Sequence, residues 1–194
     1  MDEGHRRIFI AVTLAPAVRE AAARVRGVVE REAHRFRWVS PENLHLTLRF
    51  LGEIRRGRVD MVVEATREAA EGTSPFSLTL AGLGAFPSLR APRVLWVGVH
   101  EGADRLVALA GAVDTALQGR HFPREDRPFH PHLTVARARP GGRPPDLSWL
   151  STPARPQDLL VGRQDVDSVA VMESLLGPSG PTYIEVAREA LRGR

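Results

Sequence analysis

Two short stretches, His45-Leu46-Thr47-Leu48 and His132-Leu133-Thr134-Val135, stand 87 positions apart and carry the side chains best suited to chemistry. In an extended strand alternate side chains share a face, so His45 and Thr47 project to one side roughly 7 Å apart, and Leu46 and Leu48 to the other. His132 and Thr134 stand in the same relation to Leu133 and Val135. If both strands face one cleft, two imidazoles and two hydroxyls surround one point. That set suits hydrolysis of a phosphate ester, which needs a proton taken from the attacking water and another delivered to the leaving oxygen across phosphorus. Histidine, with an unperturbed pKa of about 6.5, can fill either post near neutral pH, and each positioned acid or base contributes about 100 to 10,000-fold. Threonine hydroxyls can donate to the non-bridging oxygens. The scheme calls for no metal and no cofactor. A lone His-x-Thr in a strand is ordinarily a partly buried histidine with a routine hydrogen bond. Two His-Leu-Thr copies in a chain whose chance expectation is ~0.04 argue for function.

The flanking pattern predicts the elements that hold these strands. Arg6 to Leu14 reads as a strand and residues 17–34, opened by Pro16, as an amphipathic helix. Arg37 to Val39 is a short strand, Ser40-Pro41-Glu42-Asn43 a turn, and Leu44 to Leu51 the first motif strand, closed by Gly52. A second helix over 57–71 stops at Gly72, strands follow at Phe76–Leu83 and Arg93–Val99, and a third helix runs from Leu106 to Leu117. After the second motif strand, residues 139–156 are too rich in proline and glycine for regular structure, and Trp149 is expected to pin this loop to the body. Strands over Gln157–Arg163, Val166–Leu175 and Tyr183–Ala187 finish the chain. Sliding the sequence by 87 residues without gaps sets Ile8–Val12 on Leu95–Val99, Pro41 on Pro128 and motif on motif. A duplicated α+β unit follows, its two sheets facing each other and its helices outside.

Composition sets the outer bounds. A chain of 194 residues fits one domain or two small lobes. No apolar run approaches the roughly 20 residues that span a bilayer, and the N-terminal MDEGHRRIFIAV lacks the layout of a signal peptide, so a cytoplasmic protein without membrane contact is expected. The absence of cysteine excludes disulfides, thiolate nucleophiles and Cys-based zinc sites. All 27 basic residues are arginine, which lifts the sequence pI to about 10.9 although the net charge is only +4. Codon bias or heat adaptation explains that choice better than a ligand does.

At the two motifs the sequence resembles the two-histidine (2H) phosphoesterases, and within them the bacterial and archaeal RNA 2',3'-cyclic phosphodiesterases, also called 2'-5' RNA ligases. The resemblance runs through RRIFIAV, RWVSPENLHLTLRFLGE, GLGAFPSLRAPRVLWVGV, RPFHPHLTVAR and MESLLGPSGPTYIEV, nearly the whole chain. It implies an α+β, bilobal fold of two pseudo-twofold-related antiparallel sheets about a central cleft, one domain over 1–194 with interleaved chain. It also implies a monomer that opens terminal 2',3'-cyclic phosphates of RNA, tRNA halves among the candidate substrates, to 2'-phosphates. Near symmetry leaves the roles of the histidines open; the resemblance implies His45 as proton donor to the leaving 3'-oxygen and His132 as proton acceptor from water. Thr47 and Thr134 would hold the phosphate, and Arg137 falls where the family carries a phosphate-contacting arginine.

Other residues carry weaker expectations. His130, two before His132, could chelate a metal only with a third ligand, and is expected to be exposed or in contact with RNA. By strict alternation Arg49 falls on the cleft side, where it meets the RNA backbone or solvent, and Phe50 packs inside. Gly82-Leu83-Gly84 precedes no helix and is not a dinucleotide loop. His5, His34, His100 and His121 read as surface residues. The alternative to an enzyme is a non-catalytic module that binds RNA ends; ligation through a 2'-5' bond is the reverse of cleavage at the same site.

Overall fold

Nine strands and three helices build the molecule in the computed structural model, which describes residues 4–142, 144–151, 159–178 and 180–193. In chain order they are β1 (His5–Thr13), α1 (Pro16–Ala23), β2 (Phe36–Trp38), β3 (His45–Arg55), α2 (Val59–Glu71), β4 (Phe76–Phe86), β5 (Val94–Val99), α3 (Ala103–Gln118), β6 (His132–Ala138), β7 (Leu160–Val166), β8 (Ser168–Gly177) and β9 (Gly180–Ala190). The helix expected over 17–34 is α-helical only as α1. It tightens into a 3₁₀ segment over Arg24–Arg35, broken at Val29, where Gly27-Val28-Val29 offers weak helix formers.

The strands form two antiparallel sheets, one in the order β3-β1-β8-β9 and the other β2-β6-β5-β4-β7. The expected α+β pair of sheets is therefore present, and each sheet takes strands from both halves of the chain. β2 pairs with β6, and β8 returns from the C-terminal half to pair with β1. α2 packs against β8, β9 and α3, while α3 packs against β3. Ile8 and Ile10 of β1, Val62 of α2, Leu109 and Val113 of α3, and Leu78, Leu95 and Leu133 of the second sheet are all fully buried in one apolar layer of the core. Burying a side chain of Val or Leu size contributes about 1.5–3 kcal/mol, so this apolar layer fixes where both motif strands lie.

The register between strands corrects the ungapped repeat. Thr47 faces Ala11 and Leu46 faces Val12, whereas Thr134 faces Trp96 and Leu133 faces Val97. The motif strands repeat at 87 residues, but the strands beside them repeat at 85. The slip of two equals one period of strand alternation, so every side chain keeps its face and a sequence pattern alone cannot detect it.

Each motif strand also contains a bulge. Ile10 pairs with Arg49 and Ala11 with Thr47, leaving Leu48 over; Leu95 pairs with Ala136 and Trp96 with Thr134, leaving Val135 over. One extra residue reverses the alternation beyond it. Leu48 and Arg49 are therefore both buried, and Phe50 turns outward, which reverses the expectation for both Arg49 and Phe50. The Arg49 guanidinium donates from Nη1 to Glu125 at 2.6 Å and from Nη2 to the Pro123 carbonyl, with Nε 3.6 Å from Asp114 on α3. It ties the segment preceding β6 to the helix layer.

The proline-rich loop is pinned by other residues than expected. Leu147 and Leu150 are buried and the Leu147 amide donates to the Leu89 carbonyl at 2.7 Å, whereas Trp149 is 39% exposed. A short 3₁₀ turn over Ser148–Ser151 gives the leucines their common direction. The expected strand start at Gln157 lies outside the described residues.

Because Arg49 is held by charge-assisted bonds in the interior, Arg49→Met, which keeps the apolar stem, should lower unfolding free energy by about 1–3 kcal/mol. Urea denaturation followed by circular dichroism measures the loss; an unchanged midpoint would show that the network adds nothing to stability.

Candidate functional site

The two motif histidines sit at the first residues of β3 and β6, each just after a turn that presents a carbonyl to its ring. His45 Nδ1 lies 2.7 Å from the carbonyl oxygen of Asn43, and His132 Nδ1 lies 2.7 Å from that of His130. A carbonyl only accepts, so Nδ1 carries the proton in both rings and Nε2 is left as the working nitrogen. The Pro41–Asn43 turn is itself held, because the Asn43 side-chain amide donates to the Pro181 carbonyl at 2.9 Å. On the second motif, the function of His130 in this frame is its backbone carbonyl, which no sequence signal identifies. Its side chain is exposed, as expected, and among the described residues no group of three or more His, Cys, Asp or Glu could hold a metal. His5, His34, His100 and His121 are exposed, and Gly82–Gly84 lies inside β4.

Both histidines open onto one cleft of about 440 Å³, which Thr47, Thr134 and Arg137 also line. All five site residues expected from the sequence are thus brought together. Arg137 reaches the cleft because of the bulge at Val135; unbroken alternation would have turned it away from His132 and Thr134. Arg7 is a second cation in the lining, its guanidinium 4.8 Å from the centre of the Phe50 ring.

Aromatic rings flank each imidazole. Phe9 and Tyr183 stand 4.7 and 5.2 Å from the His45 ring, and Phe86 and Trp96 stand 5.1 and 6.4 Å from that of His132. The sequence offered no sign of these four as a set, since they come from β1, β9, β4 and β5. Trp96 can lie against β4 because residue 84 is glycine; a Cβ there would come within 2.2 Å of the indole.

This enclosure sets the proton affinity. Burial lowers the pKa of both histidines below its ordinary value near 6.5, the carbonyl bonds partly offset that by favouring the proton, and Arg137 lowers both further. The His130 imidazole adds a further lowering at His132 alone. Burial raises the Tyr183 phenol. The protein groups around them therefore bias both Nε2 atoms toward the unprotonated state, able to accept. An arriving phosphate anion reverses the balance, because its negative charge favours a proton on a neighbouring imidazole.

The comparisons with known proteins agree with this geometry. A family model described as "LigT like Phosphoesterase" matches the chain twice in succession, over residues 12–96 and 97–183. The RNA 2',3'-cyclic phosphodiesterase of Aquifex aeolicus (strain VF5) is 33% identical over 189 residues, covering 96% of this chain and 98% of its own. That of Archaeoglobus fulgidus is 33% identical over 181 residues, covering 91% and 96%. Among solved structures, TT0787 of Thermus thermophilus matches with a TM-score of 0.78 at 31% identity, and E. coli LigT complexed with 3'-AMP with 0.71 at 26%; each covers 96% of this chain and 98% of the other.

The lowered histidine pKa values have a stability consequence of definite sign. The unfolded chain binds protons at these residues more readily than the folded one, so stability is full above about pH 6.5 and falls as acid is added toward the folded-state values. A His45→Gln, His132→Gln double variant should show a shallower loss of stability between about pH 7 and pH 5 than the unaltered protein. Denaturation midpoints across that range measure it, and parallel curves would refute the burial argument.

Proposed function

Because the chain belongs to the LigT-like phosphoesterase family, we propose that it hydrolyses the terminal 2',3'-cyclic phosphate of RNA to a 2'-phosphate, with His45 and His132 as its acid and base. The observation that carries this reading is the matched pair of Nδ1–carbonyl bonds, which leave two Nε2 atoms available in one cleft with two threonines and Arg137. The relatives named as RNA 2',3'-cyclic phosphodiesterases support the substrate class.

The reaction adds one water. Its oxygen bonds to phosphorus as His132 Nε2 takes its proton; the bond from phosphorus to the 3'-oxygen breaks, and that oxygen takes the proton from His45 Nε2. Two details support this order. At His132 the neighbouring His130 adds to the lowering, a direction that suits a base. His45 becomes an acid once bound phosphate raises its proton affinity. The Thr47 and Thr134 hydroxyls donate to the non-bridging oxygens, and the Arg137 guanidinium balances their growing charge. These groups supply both proton transfers and the charge stabilisation, so the proposed scheme routes no step through a metal. With a 5'-hydroxyl in place of water, the reverse reaction forms a 2'-5' bond at the same site. The chain works as one domain of two lobes, since each sheet is completed by strands of the other half.

Incubated with EDTA and an oligonucleotide ending in a 2',3'-cyclic phosphate, the protein should release a 2'-phosphate end. His45→Ala and His132→Ala should each lower kcat about 100 to 10,000-fold. Chromatography that separates 2'- from 3'-phosphate ends reads the outcome. Binding of cyclic ends without turnover would favour a non-catalytic module instead, and a 3'-phosphate product would reverse the assignment of the leaving oxygen.

A further inference from the structure

Building on the cyclic-phosphodiesterase reading of the cleft, we propose that the RNA strand leaves it across Phe50 and continues into a second groove at the far end of β3. That groove binds the nucleotides upstream of the cyclic end. It has a volume of about 490 Å³ and shares Phe50 with the catalytic cleft, so the two adjoin at that ring.

Phe50 is 46% exposed, although an aromatic ring of its size would ordinarily be buried. The bulge at Leu48 turns it outward, and Arg7 stacks on it. An exposed ring beside an unpaired guanidinium is the pairing that holds single-stranded RNA, where bases stack on aromatics and cations follow the phosphodiester backbone. The groove beyond adds further guanidinium groups, although its own ring, Phe122, is buried. Arg58 lies 3.9 Å over the Phe122 ring, and its Nη2 donates to the carbonyls of Arg120 and His121, which fix the guanidinium without neutralising it. Arg55 is exposed, and among the described residues neither it, Arg7 nor Arg58 is ion-paired. The floor includes Arg49, only 8% exposed, but its charge is already met by Asp114 and Glu125, so it shapes the groove rather than adding a cation to it. Glu53 is the single carboxylate in the lining.

The fold also decides the direction. β3 is an edge strand of its sheet, whereas β6 is covered by β2. On the His132 side there is a cavity of about 410 Å³ lined by Phe86, Trp96, His100 and His130 but by no arginine, so it lacks fixed charge for a phosphodiester chain. Measured along the paired strand β1, where His45 lies opposite Thr13, Phe50 opposite Phe9 and Arg55 opposite His5, a rise of about 3.3 Å per residue sets Phe50 roughly 13 Å and Arg55 roughly 26 Å from His45. A single nucleotide cannot span that length.

The test compares kcat/KM on a nucleoside 2',3'-cyclic monophosphate with that on cyclic-ended oligonucleotides of two, four and eight residues. The oligonucleotide-to-mononucleotide ratio should rise with length. It should fall on the order of tenfold in Phe50→Ala, and Arg55→Glu should lower it and flatten its dependence on salt. His100→Glu, on the opposite side, should leave the ratio unchanged. The same length series with 2'-phosphate ends, read by fluorescence anisotropy, follows binding without turnover. A ratio independent of length, or one sensitive to His100→Glu but not to Arg55→Glu, would overturn the track while leaving the hydrolase reading intact. Length-dependent binding without any turnover would sink the hydrolase reading alone.

Discussion

A strand shows alternate residues to each face; β3 breaks that rule at Leu51 as well, but the breaks that shape the cleft are one in each motif strand, at Leu48 and at Val135. Much of the site depends on those two extra residues. Before the bulge, alternation sets histidine and threonine on the cleft and leucine in the core. After it, the fifth residue beyond each histidine joins them: Phe50 in one strand, Arg137 in the other. Without the bulges the cleft would lose its arginine to the opposite face, and Arg49 would stand where Phe50 now does. The same irregularity sends Arg49 inward to Asp114 and Glu125, so one backbone feature both furnishes the cleft and fastens the segment preceding β6.

The histidines are then tuned by opposing forces of similar origin. Enclosure by aromatic rings removes water from each imidazole and disfavours its charged form, while the carbonyl at Nδ1 favours it. Desolvation prevails among the protein groups, which leaves Nε2 free to accept a proton. The carbonyl bond fixes the tautomer and the ring angle at the same time. Anchored rings lose little entropy on engaging a substrate, so orientation is set before the phosphate arrives. Gly84 takes part at one remove, because only a residue without a side chain lets Trp96 settle beside His132.

Duplication supplies two similar half-sites, and departures from symmetry give them different surroundings. Equivalent positions hold a charge in one lobe, at Arg137, and an aromatic surface in the other, at Phe50. β2 closes the edge beside β6, while the edge at β3 stays open. The second histidine has another imidazole at its side and the first does not. A symmetric pattern leaves the two histidines equivalent, and these are the respects in which their folded surroundings differ.

The sequence by itself determined the α+β duplication, the motif strands and four of the five residues that meet in the cleft, because period-two alternation and a repeated His-Leu-Thr are local facts that any fold of this chain must respect; the fifth, Arg137, was legible only through the family resemblance, since alternation alone points it the other way. Tertiary structure decided what alternation cannot encode. A bulge exists only against a partner strand, so the faces of Arg49 and Phe50 could not be read from β3 alone. The two-residue slip of the repeat preserves every face and is therefore invisible in a hydrophobic pattern. The aromatic walls, the carbonyls that hold Nδ1 and the leucines that pin the proline-rich loop come from separated segments, and only packing brings them together. Spacing along the chain fixes which side chains share a strand face; the physical proximity that shifts a pKa or extends a groove is a property of the folded molecule.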